Sequence, residues 1–320
     1  MLVCSLSREL KSLVNKLLDS HSYLFKNMLS SDDFIGFCSY CRYLCVMDRT
    51  IVRHSTFNLP SMRRLWQVLG EYDALVEYIE LTTRMFKTSF ESQHELTFPE
   101  FLSSEAMKEN ISLNNLTLEN YESFKYKYYL ILPNSSFDRF LDDFMIDFHT
   151  LFDKNIPLSR NKTKLHSMVD YLVGDSFSIL LEDFSISLYD YYRLIRNSLA
   201  HDSLKKEPEI VEIFSSLNIA DVHSRYPRLS APHDMDNLTF DDFILCTANI
   251  KSIADKLTKS LENKIDWGKF SRRNSNLFPK LKKFRSNRTR QVSYIKNVIS
   301  DIYGIRLSDT CVDDILISIE

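Results

Sequence analysis

The chain has 320 residues, of which 44% are hydrophobic, with a formal net charge of −3, six Cys and only five Gly. That is enough apolar content for a packed interior and more length than one small core needs. The scarcity of glycine, with no Gly-x-Gly-x-x-Gly or Gly-Lys-Ser/Thr element, argues against a dinucleotide-binding or P-loop enzyme and for helices.

No apolar run is long enough to cross a bilayer. Met1-Leu2-Val3-Cys4 is too short for a signal peptide. A cytoplasmic protein without a membrane partner is therefore expected.

In chain order, Leu10, Leu13, Val14, Leu17 and Leu18 recur at helical spacing, with Tyr23, Leu24 and Phe25 beyond. Asp32 and Asp33 open a second run through Phe34, Phe37, Cys38, Cys41 and Cys45. Those three cysteines fall on one helical face and have no second pair at zinc spacing, so they read as core and no metal is expected. Pro60-Ser61 starts a third helix carrying Leu65, Trp66, Leu69, Tyr72, Leu75, Val76 and Ile79. From Phe86 to Asn120 the pattern weakens into a connector around Pro99. Tyr126 to Leu132 is dense in β-formers and stops at Pro133-Asn134, which is compatible with a short strand. The domain boundary is drawn here, giving a helical N-terminal region over 1–133.

Residues 134–265 read as a helical bundle. Ser135-Ser136 cap a run in which Phe137, Phe140, Leu141, Phe144, Met145, Phe148, Leu151 and Phe152 form one apolar stripe. Leu165, Met168, Val169 and Leu172 follow, stopped by Gly174, and then a short apolar segment from Phe177 to Leu181. Ser187 opens a helix through Leu188, Tyr191, Tyr192, Ile195 and Leu199. After a connector with Pro208, Pro227 and Pro232, Thr239 caps a long helix whose core face is Phe243, Ile250, Ala254, Leu257 and Leu261. The loop from Asn218 to Asn237 is long for a compact domain, and His223, Arg225, Arg228 and His233 lie in it as candidate substrate contacts.

The third of these helices ends in Leu194-Ile195-Arg196-Asn197-Ser198-Leu199-Ala200-His201. Arginine presents a charged fork that suits phosphate oxygens, and histidine moves protons near neutral pH. Together they can cleave RNA without a metal: a base deprotonates the ribose 2′-OH and a cation steadies the charge on phosphorus. Related patterns occur at Arg49…His54, Arg160-Asn161…His166 and Arg228…His233. The first has a β-branched pair after Arg49, the second sits in a polar stretch after Pro157, and Pro232 interrupts the third. Arg196 alone ends a helical run and carries both Asn197 and small or apolar residues before its histidine.

This segment resembles the signature of the HEPN superfamily, an Arg, usually a polar residue, and a His four to six residues beyond the Arg. The resemblance implies an all-α, HEPN-like four-helix bundle, usually dimeric and often a metal-independent RNase of defence or toxin systems, with no cofactor. It implies Arg196 as phosphate clamp, His201 as general acid or base, and Asn197 as the residue orienting either the histidine or the phosphate. Ser203 stands where the toxin subgroup with a nucleotidyltransferase-like antitoxin often carries Tyr. Arg196 and His201 lie about 140° apart around an ideal helix, so a composite site in a homodimer is expected. An inhibitory or sensor partner would fit the same systems. The alternative is a non-catalytic HEPN-like module that binds RNA or protein.

Residues 266–320 form the third region, a basic segment and a tail. Lys264 to Lys296 holds eleven Lys and Arg against the single Asp266, with Trp267, Phe270, Phe278, Phe284 and Tyr294 interleaved. Cations with flat stacking groups suit single-stranded RNA, and Lys280, Lys282, Lys283 and Arg285 are the expected RNA contacts; a solvated linker is the other reading. The tail from Asp301 to Glu320 is acidic and apolar, able to dock on the basic segment or on a partner.

Overall fold

The computed structural model describes residues 57–92, 96–112, 118–177, 179, 181–201 and 207–319, with the side chains of all but 118–120, 200 and 201. The helices expected before Cys45, the face shared by Cys38, Cys41 and Cys45, and the Arg49…His54 pair lie outside the described residues. The described residues are all-α, with no strand among them. None of their helices is long and apolar enough to cross a membrane.

Helix α1 spans Pro60–Glu91, with Pro60 at a first-turn position where a missing N–H costs nothing. Leu59 cannot cap it. The cap comes from far along the chain, where Asp147 Oδ2 accepts the Ser61 N–H at 2.9 Å. Met62, Leu65, Leu69 and Val76 are buried along α1, which packs on α4 (Ile131–Phe152) and α9 (Phe240–Glu262). Glu80 and Lys125 form a buried ion pair, 2.8 Å, that ties α1 to α3 (Leu118–Tyr129). Helix α2 (Phe98–Lys108) opens with Glu100 accepting the Thr97 N–H at 2.8 Å.

The strand expected over Tyr126–Leu132 is instead the junction of α3 and α4, with Leu130 as a turn between them. Tyr129 and Leu130 are buried, and Pro133 falls in the first turn of α4, where its ring and missing N–H are tolerated. Ser135 and Ser136 lie inside α4, not at its cap, and donate back to the carbonyls of Ile131 and Leu132. The stripe itself is as expected. Phe137, Phe140, Leu141, Phe144, Phe148 and Leu151 are all buried, and each such side chain removed from water contributes about 1.5–3 kcal/mol.

Thr163 caps α5 (Lys164–Gly174) by accepting the His166 N–H. Helix α6 runs Asp183–His201, starting before Ser187. The expected connector after it holds two short helices, α7 (Glu207–Ser216) and α8 (Ile219–Arg225). Thr239 caps α9, as expected, in a capping box with Asp242.

The basic segment is folded. It comprises α10 (Trp267–Arg273), two 3₁₀ turns (Ser275–Leu277 and Leu281–Phe284) and α11 (Arg288–Tyr303). The tail forms α12 (Asp309–Ile319), which packs closely on α10. A Cβ on Gly268 would meet Ser318 Oγ at 2.9 Å and the Asp314 carbonyl oxygen at 3.5 Å, so the two helices approach closely there. Arg288–Asp313 and Lys296–Asp309 pairs join α11 to α12, so the tail docks on the basic segment.

All of the described residues fall in one compact unit. Helices α4, α6 and α9 pack on one another, α1 covers α4 and α9, and α5 buries Leu165, Met168 and Leu172 in the same core. That core runs from Phe57 to Leu316. The boundary expected at 133/134 falls inside α4, and core packing crosses it and the one at 265/266.

Candidate functional site

Helix α6 faces different neighbours on its different sides. Leu188, Tyr191, Tyr192 and Ile195 are fully buried, while its polar residues line up elsewhere. Tyr189 and Arg196, seven residues apart, share a side. Both meet Asp138 of α4. The Tyr189 hydroxyl donates to Asp138 Oδ1 at 3.2 Å, and Arg196 donates through Nη2 to Asp138 Oδ2. Burial first, then the Asp138 charge, raises the Tyr189 hydroxyl well above the usual phenol range, so it stays a donor.

The Arg196 side chain is 18% exposed. Its Nε is buried without a hydrogen-bond partner, an arrangement that is costly unless something else occupies that edge. Asn197 is half-buried, and no hydrogen bond joins its side chain to the described residues. The helix continues unbroken to His201, whose side chain lies outside the described set. Asn197 and His201 are one turn apart on the helix, as the spacing implies.

A second polar stripe adjoins the motif. Asp190, Arg193, Asn197 and His201 follow i, i+3, i+7 and i+11, which keeps them near one line along the helix. Arg193 Nε lies 3.2 Å from Asp190 Oδ1, and Asp190 Oδ2 is 3.5 Å from Nε2 of His166 on α5. Thr163 Oγ1 and His166 Nδ1 are 2.7 Å apart. His166, from the rival Arg160…His166 pair, therefore sits against the motif helix, whereas Arg160 is exposed on the turn before α5. Sequence reasoning missed Asp138, Tyr189, Asp190 and Arg193. The stripe of Asp190, Arg193 and Asn197 on an apolar helix was a usable signal; Asp138 had none.

Most of the loop residues expected to contact substrate bond to other parts of the protein, although His223 and Arg225 are exposed. His233 Nδ1 is 2.7 Å from buried Asp242, His223 Nε2 is 3.1 Å from the Ala231 carbonyl oxygen, and Arg225 pairs with Glu182 at 3.6 Å. Arg228 is exposed.

The basic segment divides into an inside and an outside. Trp267, Phe270 and Phe278 are buried in the core and cannot stack on bases, which corrects that part of the expectation. Phe284 and Tyr294 are half-buried and pack on each other edge to face. Lys280, Lys282, Lys283 and Arg285 are all exposed. Among the described residues none of the four is paired with a carboxylate, unlike neighbouring Arg288 and Lys296. Arg273 of α10 donates to the Leu151 carbonyl at the far end of α4. That is about 20 Å along the helix from Asp138.

A shallow depression on α2, lined by Pro99, Ser103, Met107 and Lys108 among others, contains none of the motif residues. Among the described residues no three His, Cys, Asp or Glu side chains are grouped to hold a metal ion. Comparison with protein-family models, with curated proteins and with solved structures found no match to this chain.

Proposed function

We propose that the protein is a metal-independent endoribonuclease of the HEPN type, a cytoplasmic defence or toxin effector whose site is Arg196, Asn197 and His201. One observation carries the reading. At the end of α6 stands an arginine held by Asp138 through a single nitrogen, its side chain still partly exposed, beside Asn197 and on the same helix as His201. A guanidinium with spare donors suits a phosphate oxygen.

In the proposed step His201 takes the proton of the ribose 2′-OH. The 2′-oxygen forms its bond to phosphorus as the bond to the 5′-oxygen breaks, the departing oxygen takes a proton from water, and His201 returns its proton to solvent. Arg196 steadies the negative charge on the non-bridging oxygens. The products are a 2′,3′-cyclic phosphate and a 5′-hydroxyl. Two copies supply the groups that the 140° offset denies to one. Lys280, Lys282, Lys283 and Arg285 attract the RNA backbone through charge, without the buried aromatics.

A second reading is a non-catalytic HEPN-like binding module. The depth of Arg196 and its pairing with Asp138 favour it, because a strut between α4 and α6 would look similar. Incubating single-stranded RNA with the protein and excess chelator separates the two. Fragments ending in 2′,3′-cyclic phosphate support the nuclease, and intact RNA that nonetheless stays bound supports the module.

A further inference from the structure

We propose that Asp138 is a positioning residue for Arg196 in this cleavage, an assignment that rests on the ribonuclease reading. Asp138 comes from α4, a different helix from the motif and 58 positions earlier in the chain. Its backbone is fixed by Phe137 and Phe140 on the same helix, 0% and 2% exposed. Its two carboxylate oxygens are used separately. Oδ1 accepts the Tyr189 hydroxyl at 3.2 Å, and Oδ2 accepts from Arg196. Tyr189 is itself immobilised, 3% exposed with its ring edge-on to Phe137 at 5.1 Å. The carboxylate is thus held against rotation by one residue of α6 while it holds another two turns further along.

The way Arg196 is held separates an aiming device from a strut. An arginine whose only task is to join two helices is best served by a bidentate contact, both fork nitrogens on both carboxylate oxygens. Here one of five donors meets Asp138. Nε is buried and unpaired. Tyr189 donates to the other oxygen, and no second Arg196 donor reaches it. The fork is therefore tethered at one corner, and Nη1, which makes no hydrogen bond to the described residues, is left for another acceptor while Nε stays enclosed. Fixing a charge-stabilising donor before the reaction spares its reorganisation during it.

The test compares wild type, Asp138→Ala, Asp138→Asn and Arg196→Lys in single-turnover and steady-state cleavage of a fluorescent single-stranded RNA. Alongside, ¹⁵N NMR of the Arg196 guanidinium reads the tether without any RNA. Asp138→Ala is expected to lower kcat about 100-fold, the loss typical of a misaimed catalytic group, with KM little changed. Asp138→Asn, which keeps the volume and an acceptor oxygen, recovers a substantial part. On the Arg196→Lys background, Asp138→Ala costs nothing further. The Arg196 Nη–H signals, distinct while rotation is restrained, average together in Asp138→Ala.

Wild-type kcat in Asp138→Ala overturns the assignment, as do Arg196 signals indifferent to the substitution. A faster Asp138→Ala enzyme also overturns it, because the carboxylate would then compete with phosphate for the fork. RNA left uncut by wild type while the tether responds to Asp138→Ala removes the ribonuclease reading instead, so the two failures are distinct.

Discussion

His233 and Asp242 form a pair in which the carboxylate is fully buried and the imidazole Nδ1 lies 2.7 Å from Oδ2. Asp242 also accepts the Tyr192 hydroxyl at 2.9 Å, the His233 N–H at 3.0 Å and the Thr239 N–H at 2.8 Å. With the Thr239 hydroxyl at 3.2 Å, five donors from α6, the loop before α9 and the cap of α9 thus converge on one side chain. Burial and the Asp242 charge raise the Tyr192 hydroxyl well above its ordinary range and keep it a donor. The long loop after α8 is latched by this carboxylate.

Removing the carboxylate strands all five donors at once. Asp242→Ala is expected to lower unfolding free energy by at least about 1–3 kcal/mol, the usual cost of leaving buried donors unsatisfied. His233→Ala removes one partner and costs about 1–3 kcal/mol. Urea denaturation of both variants checks this. Cleavage by folded His233→Ala is expected to match wild type, because the pair shares no hydrogen bond with Arg196 or with its partner Asp138.

Asp147 makes a pH prediction. Burial raises its carboxyl above the ordinary range, outweighing the Ser61 N–H it accepts and the nearby Arg64. A group whose folded pKa is raised stabilises the fold when protonated, below its unfolded pKa, and that contribution is lost as pH rises through the folded value. The contribution of Asp147 to stability should therefore decline over a window starting near the ordinary aspartate value of 3.8 and ending above it. Asp147→Asn should flatten that decline while its amide oxygen keeps capping α1. Asp147→Ala should lose the cap, about 1 kcal/mol. Urea midpoints measured from about pH 3.5 to 7 decide it, a range that spans that window; an unchanged pH profile in Asp147→Asn would remove the argument.

The exposed cations give a salt-dependence prediction. Changing Lys280, Lys282, Lys283 and Arg285 together to Gln should leave the melting temperature nearly unchanged, since all four side chains face solvent. The slope of log K against log salt for single-stranded RNA should fall by up to about 3, roughly 0.7 for each phosphate no longer neutralised. An unaltered slope in filter binding would place RNA affinity elsewhere.

Local periodicity made the helices legible, and long-range pairing made the rest obscure. The stripe from Phe137 to Phe152 repeats at helical spacing and is the buried face of α4. Tyr126–Leu132 misled because its composition is β-prone, although Tyr126, Tyr129 and Leu130 already stand at i, i+3 and i+4. The cap of α1 comes from Asp147, 86 positions away, and the anchor of Arg196 comes from Asp138, 58 positions away. No spacing rule reaches across such distances. In the basic segment, composition could not say that Trp267, Phe270 and Phe278 turn inward while the lysines turn out.

The central claim is that Arg196, Asn197 and His201 cut RNA, and the comparison of His201→Ala with His166→Ala tests it most directly. His166 is the stringent control, because it lies against Asp190 on the motif helix and belongs to the rival motif. With chelator present, His201→Ala should lose cleavage by roughly 10²–10⁴ at an unchanged melting temperature. Arg196→Lys should be similarly impaired, since a point charge does not replace the planar fork. His166→Ala should retain activity. Cleavage that survives His201→Ala and disappears in His166→Ala would contradict the account and move the site to α5.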